Sequence, residues 1–306
     1  VVRNENQSSI FYLLGFSNLR NLQVPLFCCF LVVYTMILTG NLLIVFLVTS
    51  RRSLQSPMYY FLSHLSMCDV LCTTNIIPNV LFGGGTIALP CCFLQFYLFG
   101  SFTTTESFLL TVMSYDRYLA ICFPLHYFSI MNRRFRLNLS ASSWLLGFLL
   151  SLIPGVLVTT LQFCGCNAID HFFCDLVPLL ALSCSSKTSL IQMEIIVSSI
   201  PVILFPFVFI MGTYLSIFLT ILKISSKSGR QKAFSTCSSH LIIVSTYYGT
   251  LITVYLVPTK QHFSDINKVL SLLYIVVTPL LNPIVYSLRN KEIKNVIRKI
   301  ICVKIY

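Results

Sequence analysis

The sequence predicts an all-α membrane protein, a bundle of seven transmembrane helices followed by a short amphipathic C-terminal helix. Three observations carry that expectation. The chain of 306 residues is 56% hydrophobic and only 10% charged, with mean hydropathy +0.83, where a soluble domain carries about 25% charged residues. Apolar stretches recur seven times, near 24–49, 57–80, 92–122, 138–160, 191–223, 232–257 and 267–288. Each is close to the roughly 20 residues that cross a bilayer as a helix, or longer, as tilted helices are. Finally, the basic residues fall on alternate connections. Of 21 Lys and Arg, 16 lie at Arg51–Arg52, at Arg117 with Arg133, Arg134 and Arg136, at Lys223, Lys227, Arg230 and Lys232, or in the tail from Arg289 to Lys304.

The positive-inside rule makes those clusters cytoplasmic and the N-terminus external, which requires an odd number of spans. The net charge of +12 therefore belongs to a membrane surface, and nucleic acid is not expected as a partner. No strand-like alternation suggests a barrel. The connections leave no room for a soluble domain, so residues 1–306 are read as one seven-helix domain. Val1–Gln23 is polar and irregular, and the first span is expected to serve as its own signal-anchor. Asn6-Gln7-Ser8 is a glycosylation sequon on the external side.

The first segment carries Gly40-Asn41, and a buried Asn41 is expected to bond to the second and seventh helices. Asp69 lies deep in the second segment and Glu106 deep in the third. Acids at that depth are costly and mark function by default. Glu106 sits eleven residues before Arg117, about three helical turns, so both acids face the bundle interior. Two readings stand: a neutral carboxyl bonded to a neighbour, or a cation site.

The third segment ends in Ser114-Tyr115-Asp116-Arg117-Tyr118-Leu119-Ala120-Ile121-Cys122-Phe123-Pro124-Leu125-His126-Tyr127. An acid and a guanidinium adjoin where the helix leaves the membrane, able to pair with each other or to offer donors to a partner. Ser56-Pro57-Met58-Tyr59-Tyr60-Phe61-Leu62-Ser63-His64-Leu65-Ser66 opens the second segment, and Lys232-Ala233-Phe234-Ser235-Thr236-Cys237-Ser238-Ser239-His240-Leu241 the sixth. Pro279-Leu280-Leu281-Asn282-Pro283-Ile284-Val285-Tyr286-Ser287-Leu288-Arg289-Asn290 closes the seventh. Together these runs resemble the olfactory (odorant) branch of the rhodopsin-like G-protein-coupled receptors, over nearly the whole chain and in the expected order. The Cys-Trp-x-Pro motif of most rhodopsin-like receptors is replaced by Tyr247-Tyr248-Gly249-Thr250, with Tyr248 matching the Trp. The kink that Pro would impose on the sixth helix is therefore missing.

The resemblance implies a receptor, not an enzyme, at the plasma membrane, with its C-terminus cytoplasmic. It implies a small volatile odorant as ligand and a stimulatory, olfactory-type G protein that raises cyclic AMP. Ligand contacts are expected from Phe99, Gly100, Thr103, Thr104, Ser198, Ser199, Val202, Tyr248, Leu251, Ile252, Tyr255, Leu272 and Ile275. That set is apolar with a few hydroxyls, as a small volatile ligand needs. Phe99 stands where amine receptors carry an Asp, so a cationic amine lacks its usual counter-ion. The activation switch is expected at Asp116, Arg117, Tyr118, Tyr214, Asn282, Pro283 and Tyr286, with Pro283 freeing a carbonyl and Asn282 resatisfying the local network. G-protein contacts fall to Arg117, Lys223, Lys227, Arg230 and Lys232.

The acid matching Asp69 lies in a sodium pocket in rhodopsin-like receptors. Sodium at Asp69 and Glu106 is thus the only cofactor that the resemblance admits. It also pairs Cys92 with Cys174 and Cys164 with Cys184, leaving Cys91 and Cys166 surplus and alternative pairings through them open. His171-x-x-Cys174-Asp175 invites a metal reading, but a disulfide-bonded Cys is a poor ligand and three residues do not close a zinc shell. The tail from 290 to 302 sets Ile293, Val296, Ile297, Ile300 and Ile301 at helical spacing among basic residues, which suits a helix on anionic lipid.

Other classes fit less well. A transporter shows inverted repeats and broken helices, and a channel shows a polar pore stripe, for which only Asp69 and Glu106 qualify. An enzyme needs a nucleophile with its base or a metal cluster. His64, His126, His171, His240 and His262 fall on separate segments. A seven-helix chemosensory receptor for a non-odorant molecule is the nearest alternative.

Overall fold

A computed structural model describes residues 10–16, 22–164, 167–256 and 264–289. Among these, seven helices of at least 25 residues form the bundle: α1 (Gln23–Ser50), α2 (Pro57–Leu81), α3 (Leu89–Cys122), α4 (Arg133–Thr159), α5 (Thr188–Leu222), α6 (Lys227–Leu256) and α7 (Ser264–Arg289). Asn6, Cys166 and the 290–302 segment lie outside the described residues, as do the side chains of Lys232, Tyr255 and Tyr286.

Several helices start earlier than the apolar runs do, because caps rather than hydropathy set their first turns. α3 starts at Leu89 with Pro90 in its first turn, where the missing N–H costs nothing. The Asn132 side chain accepts from the Phe135 N–H at 3.0 Å, so the basic run Arg133–Arg136 is already helical. At α6, Ser226 Oγ accepts from the Gly229 N–H at 3.3 Å.

α3 is the central helix, packed against α2, α4 and α5. Gly147 on α4 allows a close approach, since a Cβ there would lie 2.0 Å from Thr105 Oγ1. The Gln23–Ser50, Arg133–Thr159 and Thr188–Leu222 helices and the Lys268–Val285 stretch of α7 are long and apolar enough to cross a membrane on composition alone. α5 buries little of itself and exposes Leu204, Phe205, Val208, Leu215 and Phe218. In water such a face would aggregate; in a bilayer it meets lipid.

A small sheet, absent from the sequence reading, covers one end of the bundle. Its strands are β1 (Ile10–Leu13), β2 (Gly85–Ala88) and β3 (Ala168–Ile169), in the order β2-β1-β3. β1 runs antiparallel to β2 and parallel to β3. Strand alternation turns Phe11 and Leu13 inward while Ile10 and Tyr12 face out. The turn into β2 needs Gly84, which has φ +110° and leaves room for Leu13 O where a Cβ would sit 2.2 Å away. Beneath the sheet, Phe11, Phe96, Leu161, Ile169, Leu179 and Ile191 form a buried apolar cluster around Cys92 and Cys174.

Candidate functional site

The outer end of α3 is fixed by a lid made of the small sheet and the loop residues Ala168–Asp175. Cys92 on α3 is bonded to Cys174, and Cys164 to Cys184; Cys91 is a free, exposed thiol. Gln95, one turn into α3, accepts from the Cys174 N–H at 3.0 Å and exchanges amide bonds with Asn75 on α2. Asp175 caps a short helix, Leu176–Leu182, by accepting from the Leu176 N–H. Burial pushes its carboxyl up to about 6, opposed by that same N–H. Phe16 stacks on Phe30 of α1 and on Phe172 of the loop. Asp170 pairs with Lys268 of α7. Next to it, His171 is buried between Phe172 and Phe173. Burial first, then the Lys268 ammonium, push its imidazole down to about 3, so it is neutral at physiological pH.

Below the lid, aromatic rings and hydroxyls converge from four helices. Phe99 packs edge-on to Phe173 of the lid and to Tyr274 of α7. Thr103 receives two tyrosines: Tyr247 of α6 donates to its carbonyl at 2.7 Å, and Tyr274 to its hydroxyl at 3.1 Å. Tyr248 lies 3.0 Å from Ser107, whose hydroxyl donates to the Val202 carbonyl of α5 at 3.2 Å. A serine has one proton to give, so Tyr248 is the donor in their bond. Phe207 packs on the Tyr248 ring.

Of the expected ligand residues, Phe99, Tyr248, Leu251 and Ile275 are buried, and Thr103, Val202 and Leu272 half-buried. Ser198 and Ser199 are half-buried too, with hydroxyls that donate to the Ile195 carbonyl one turn back. Three positions need correction. Ile252 is 46% exposed, on the outward face of α6. Gly100 and Thr104 face α4, where Ser151 is their neighbour. A helix turns 100° per residue, so residues beside a lining position point elsewhere. Ser107, Phe173, Phe207, Tyr247 and Tyr274 were missed. Ser107 had a signal, four residues beyond Thr103, and Tyr247 adjoins Tyr248.

Deeper in the bundle, Asn282 Nδ2 donates to Asp69 Oδ2 at 2.7 Å. Pro283 has no N–H, which frees the Pro279 carbonyl one turn back. Asn41 takes it at 2.9 Å, with a second bond to Ile37 O. Two expectations change here. Asn41, not Asn282, resatisfies α7, and the amide of Asn41 reaches α7 and its own helix rather than α2. Asp69 Oδ1, Glu106 Oε1, Asn41 Oδ1 and Asn282 Oδ1 are buried with no hydrogen-bond partner. Hard oxygens left bare in a dry interior fit a small cation. Among the described residues no group of three or more His, Cys, Asp or Glu gathers for a metal.

At the opposite end of the bundle from the lid, both oxygens of the buried Asp116 are taken. Arg117 bonds one through Nε and Nη2, and Tyr127 donates to the other at 2.8 Å. Burial and the Asp116 carboxylate raise the Tyr127 phenol pKa, so it stays a donor. Tyr118 lies against Tyr115 and Phe123. Tyr214 of α5 bonds His240 Nδ1 of α6 at 2.5 Å, with the rings stacked. Tyr127 and His240 stand inside the quoted motif runs, yet neither was expected in the switch. Lys223, Lys227 and Arg230 are exposed around the α5–α6 connection.

The model of the family described as olfactory receptor matches residues 28–304. Olfactory receptor 11A1 of Homo sapiens is 44% identical over 297 residues, covering 96% of this chain and 94% of that protein. Olfactory receptor 11L1 of Homo sapiens is 45% identical over 302 residues, with 97% and 94% coverage. Olfactory receptor 1M1 of Mus musculus is 43% identical over 307 residues, with 99% and 98% coverage. Squid rhodopsin superposes with a TM-score of 0.73 over 91% of this chain and 85% of its own, at 16% identity, which establishes the fold. The bundle is thus that of a rhodopsin-like seven-helix receptor, a multi-pass membrane protein and not an enzyme. Within that class, the chain belongs to the olfactory receptor family.

Proposed function

We propose that this receptor binds a small, mostly apolar volatile molecule between α3, α5, α6 and α7. Binding then activates a stimulatory, olfactory-type G protein that raises cyclic AMP. The observation that carries the reading is the double attachment at Thr103, where Tyr247 of α6 and Tyr274 of α7 both hold on to α3. A ligand lodged among Phe99, Leu251 and Ile275 meets those hydroxyls and Tyr248 directly. It changes the cost of moving α6 relative to α3 and works only through differential affinity for the two states. Tyr255 belongs to the same proposed set.

The N-terminus, with any glycan at Asn6, lies outside the cell, and the basic clusters lie in the cytoplasm. Arg117 with Lys223, Lys227, Arg230 and Lys232 meets the G protein, and the 290–302 segment rests on the inner leaflet. Expression of the receptor with an odorant panel tests the reading, with cyclic AMP and whole-cell current recorded in parallel. Cyclic-AMP responses that vanish when the stimulatory G protein is deleted are expected. Currents that persist without any G protein would establish a channel instead.

Asp69 and Glu106 are the residues that would hold a sodium ion, with the bare oxygens of Asn41 and Asn282 nearby in the interior. The ion would supply positive charge between the two acids and favour the closed arrangement. Raising sodium is expected to lower basal cyclic AMP in membranes carrying the parent receptor, and Asp69→Asn to abolish that dependence. An equal sodium response in the variant would leave the acids as neutral, structural groups.

A further inference from the structure

Lys268 is the only lysine or arginine with a fully buried side chain among the described residues. It heads the inward stripe of α7, in register with Ser271, Ile275, Thr278 and Asn282 at steps of three and four. Ile275, on the wall of the proposed ligand chamber, lies about two turns below it. A buried ammonium needs an anion, and Asp170 supplies one at 2.5 Å. The two partners are unequal, since the Lys268 side chain is 2% exposed and that of Asp170 is 52% exposed. Asp170 thus reaches in from water, and regains its hydration on leaving.

A second observation marks the same place. His171, the next residue in the loop, is buried, and its Nδ1 has no partner. Its chain neighbour Asp170 is the residue that pairs with Lys268. A buried cation therefore sits at the roof beside the loop whose Phe172 and Phe173 pack on His171, with Phe99 of α3 against Phe173.

From this we infer that the receptor is selective for ligands with a carboxylate head and an apolar tail. The head displaces Asp170 and pairs with Lys268, while the tail enters the Phe99–Tyr274 chamber. Fatty acids of medium length are carboxylates at neutral pH, and their neutral forms are volatile. The inference rests on the outer chamber being the ligand site.

The test uses full-length receptor in nanodiscs at pH 7.4, with thermal unfolding followed against octanoate, 1-octanol and methyl octanoate. Octanoate is expected to stabilise the parent at a concentration at least tenfold lower than the alcohol or ester requires. Lys268→Met should remove that preference and keep the response to octanol. Lys268→Arg should retain it. Asp170→Asn removes the competing carboxylate and should lower the octanoate concentration required. Should Lys268→Met fail to fold, the Asp170→Asn arm decides by itself. An unchanged octanoate preference in Lys268→Met, or weaker octanoate binding in Asp170→Asn, overturns the inference. If octanol stabilises the parent and octanoate does not, the carboxylate selectivity is wrong and the chamber stands. If none of the three stabilises it, the chamber reading falls as well.

Discussion

Cys174→Ser is expected to abolish delivery of the receptor to the cell surface. The bond to Cys92 is buried in the outer apolar cluster and ties the long loop to the top of α3. Losing a native disulfide typically costs about 2–5 kcal/mol, a large share of the roughly 5–15 kcal/mol that holds a domain folded. Here the loss extends further. The Cys174 N–H bond to Gln95 and the strand pairing of Ala168–Ile169 with β1 both depend on where that loop lies. Surface labelling of an epitope-tagged chain reads the outcome. Cys91→Ser is the matched control, because that thiol is free and exposed, and it should leave surface levels near those of the parent. Normal surface levels for Cys174→Ser would mean that the loop is held in place without the bridge.

Arg117→Ala is expected to silence signalling in a receptor that still reaches the surface. In the structure Arg117 and Tyr127 together occupy both oxygens of the buried Asp116. We propose that activation frees Arg117 from Asp116 and Tyr214 from His240, so that the two meet as the inner end of α6 swings out. A swing from 1:99 to 99:1 takes about 5.5 kcal/mol of differential binding, more than a small volatile molecule readily supplies. The closed state is therefore only modestly favoured, and the parent should show measurable basal cyclic AMP. Without the guanidinium, basal and odorant-driven cyclic AMP should both fall to the level of untransfected cells. Tyr127→Phe removes a donor that holds Asp116 without touching the guanidinium, and should raise basal signalling. Basal signalling unchanged in Arg117→Ala would remove this residue from the switch.

The bundle was legible in the sequence because its causes are local. Apolar runs of bilayer length and the inside bias of Lys and Arg report on a chain's solvent, which does not depend on the packing of its neighbours. The small outer sheet was not legible. Ile10–Leu13 is four residues long and pairs with Gly85–Ala88 and Ala168–Ile169, partners more than 70 positions away. Nothing in its own composition specifies that pairing. At the proposed ligand site, motif matching selected turns of α3 and α6 but could not tell which of their residues share a face. Gly100 and Thr104 lie beside Phe99 and Thr103 in sequence and point at α4, while Ile252 follows Leu251 and points outward. Long-range satisfaction was also out of reach. That Asn41 takes the carbonyl freed by Pro283, and that Tyr214 bonds His240, depends on which helices adjoin. Lys268 was visible only as one of five basic residues on the external side. Its burial under Asp170 is a product of the folded loop.

The most direct test of the central claim is nucleotide exchange on a purified stimulatory G protein, catalysed by the receptor in nanodiscs. An odorant first shown to stabilise the receptor should accelerate exchange on the parent and leave the rate unchanged with Arg117→Ala, although both bind it. If the bound odorant accelerates exchange equally through both receptors, or through neither, the coupling from the outer chamber through Arg117 to the G protein is contradicted.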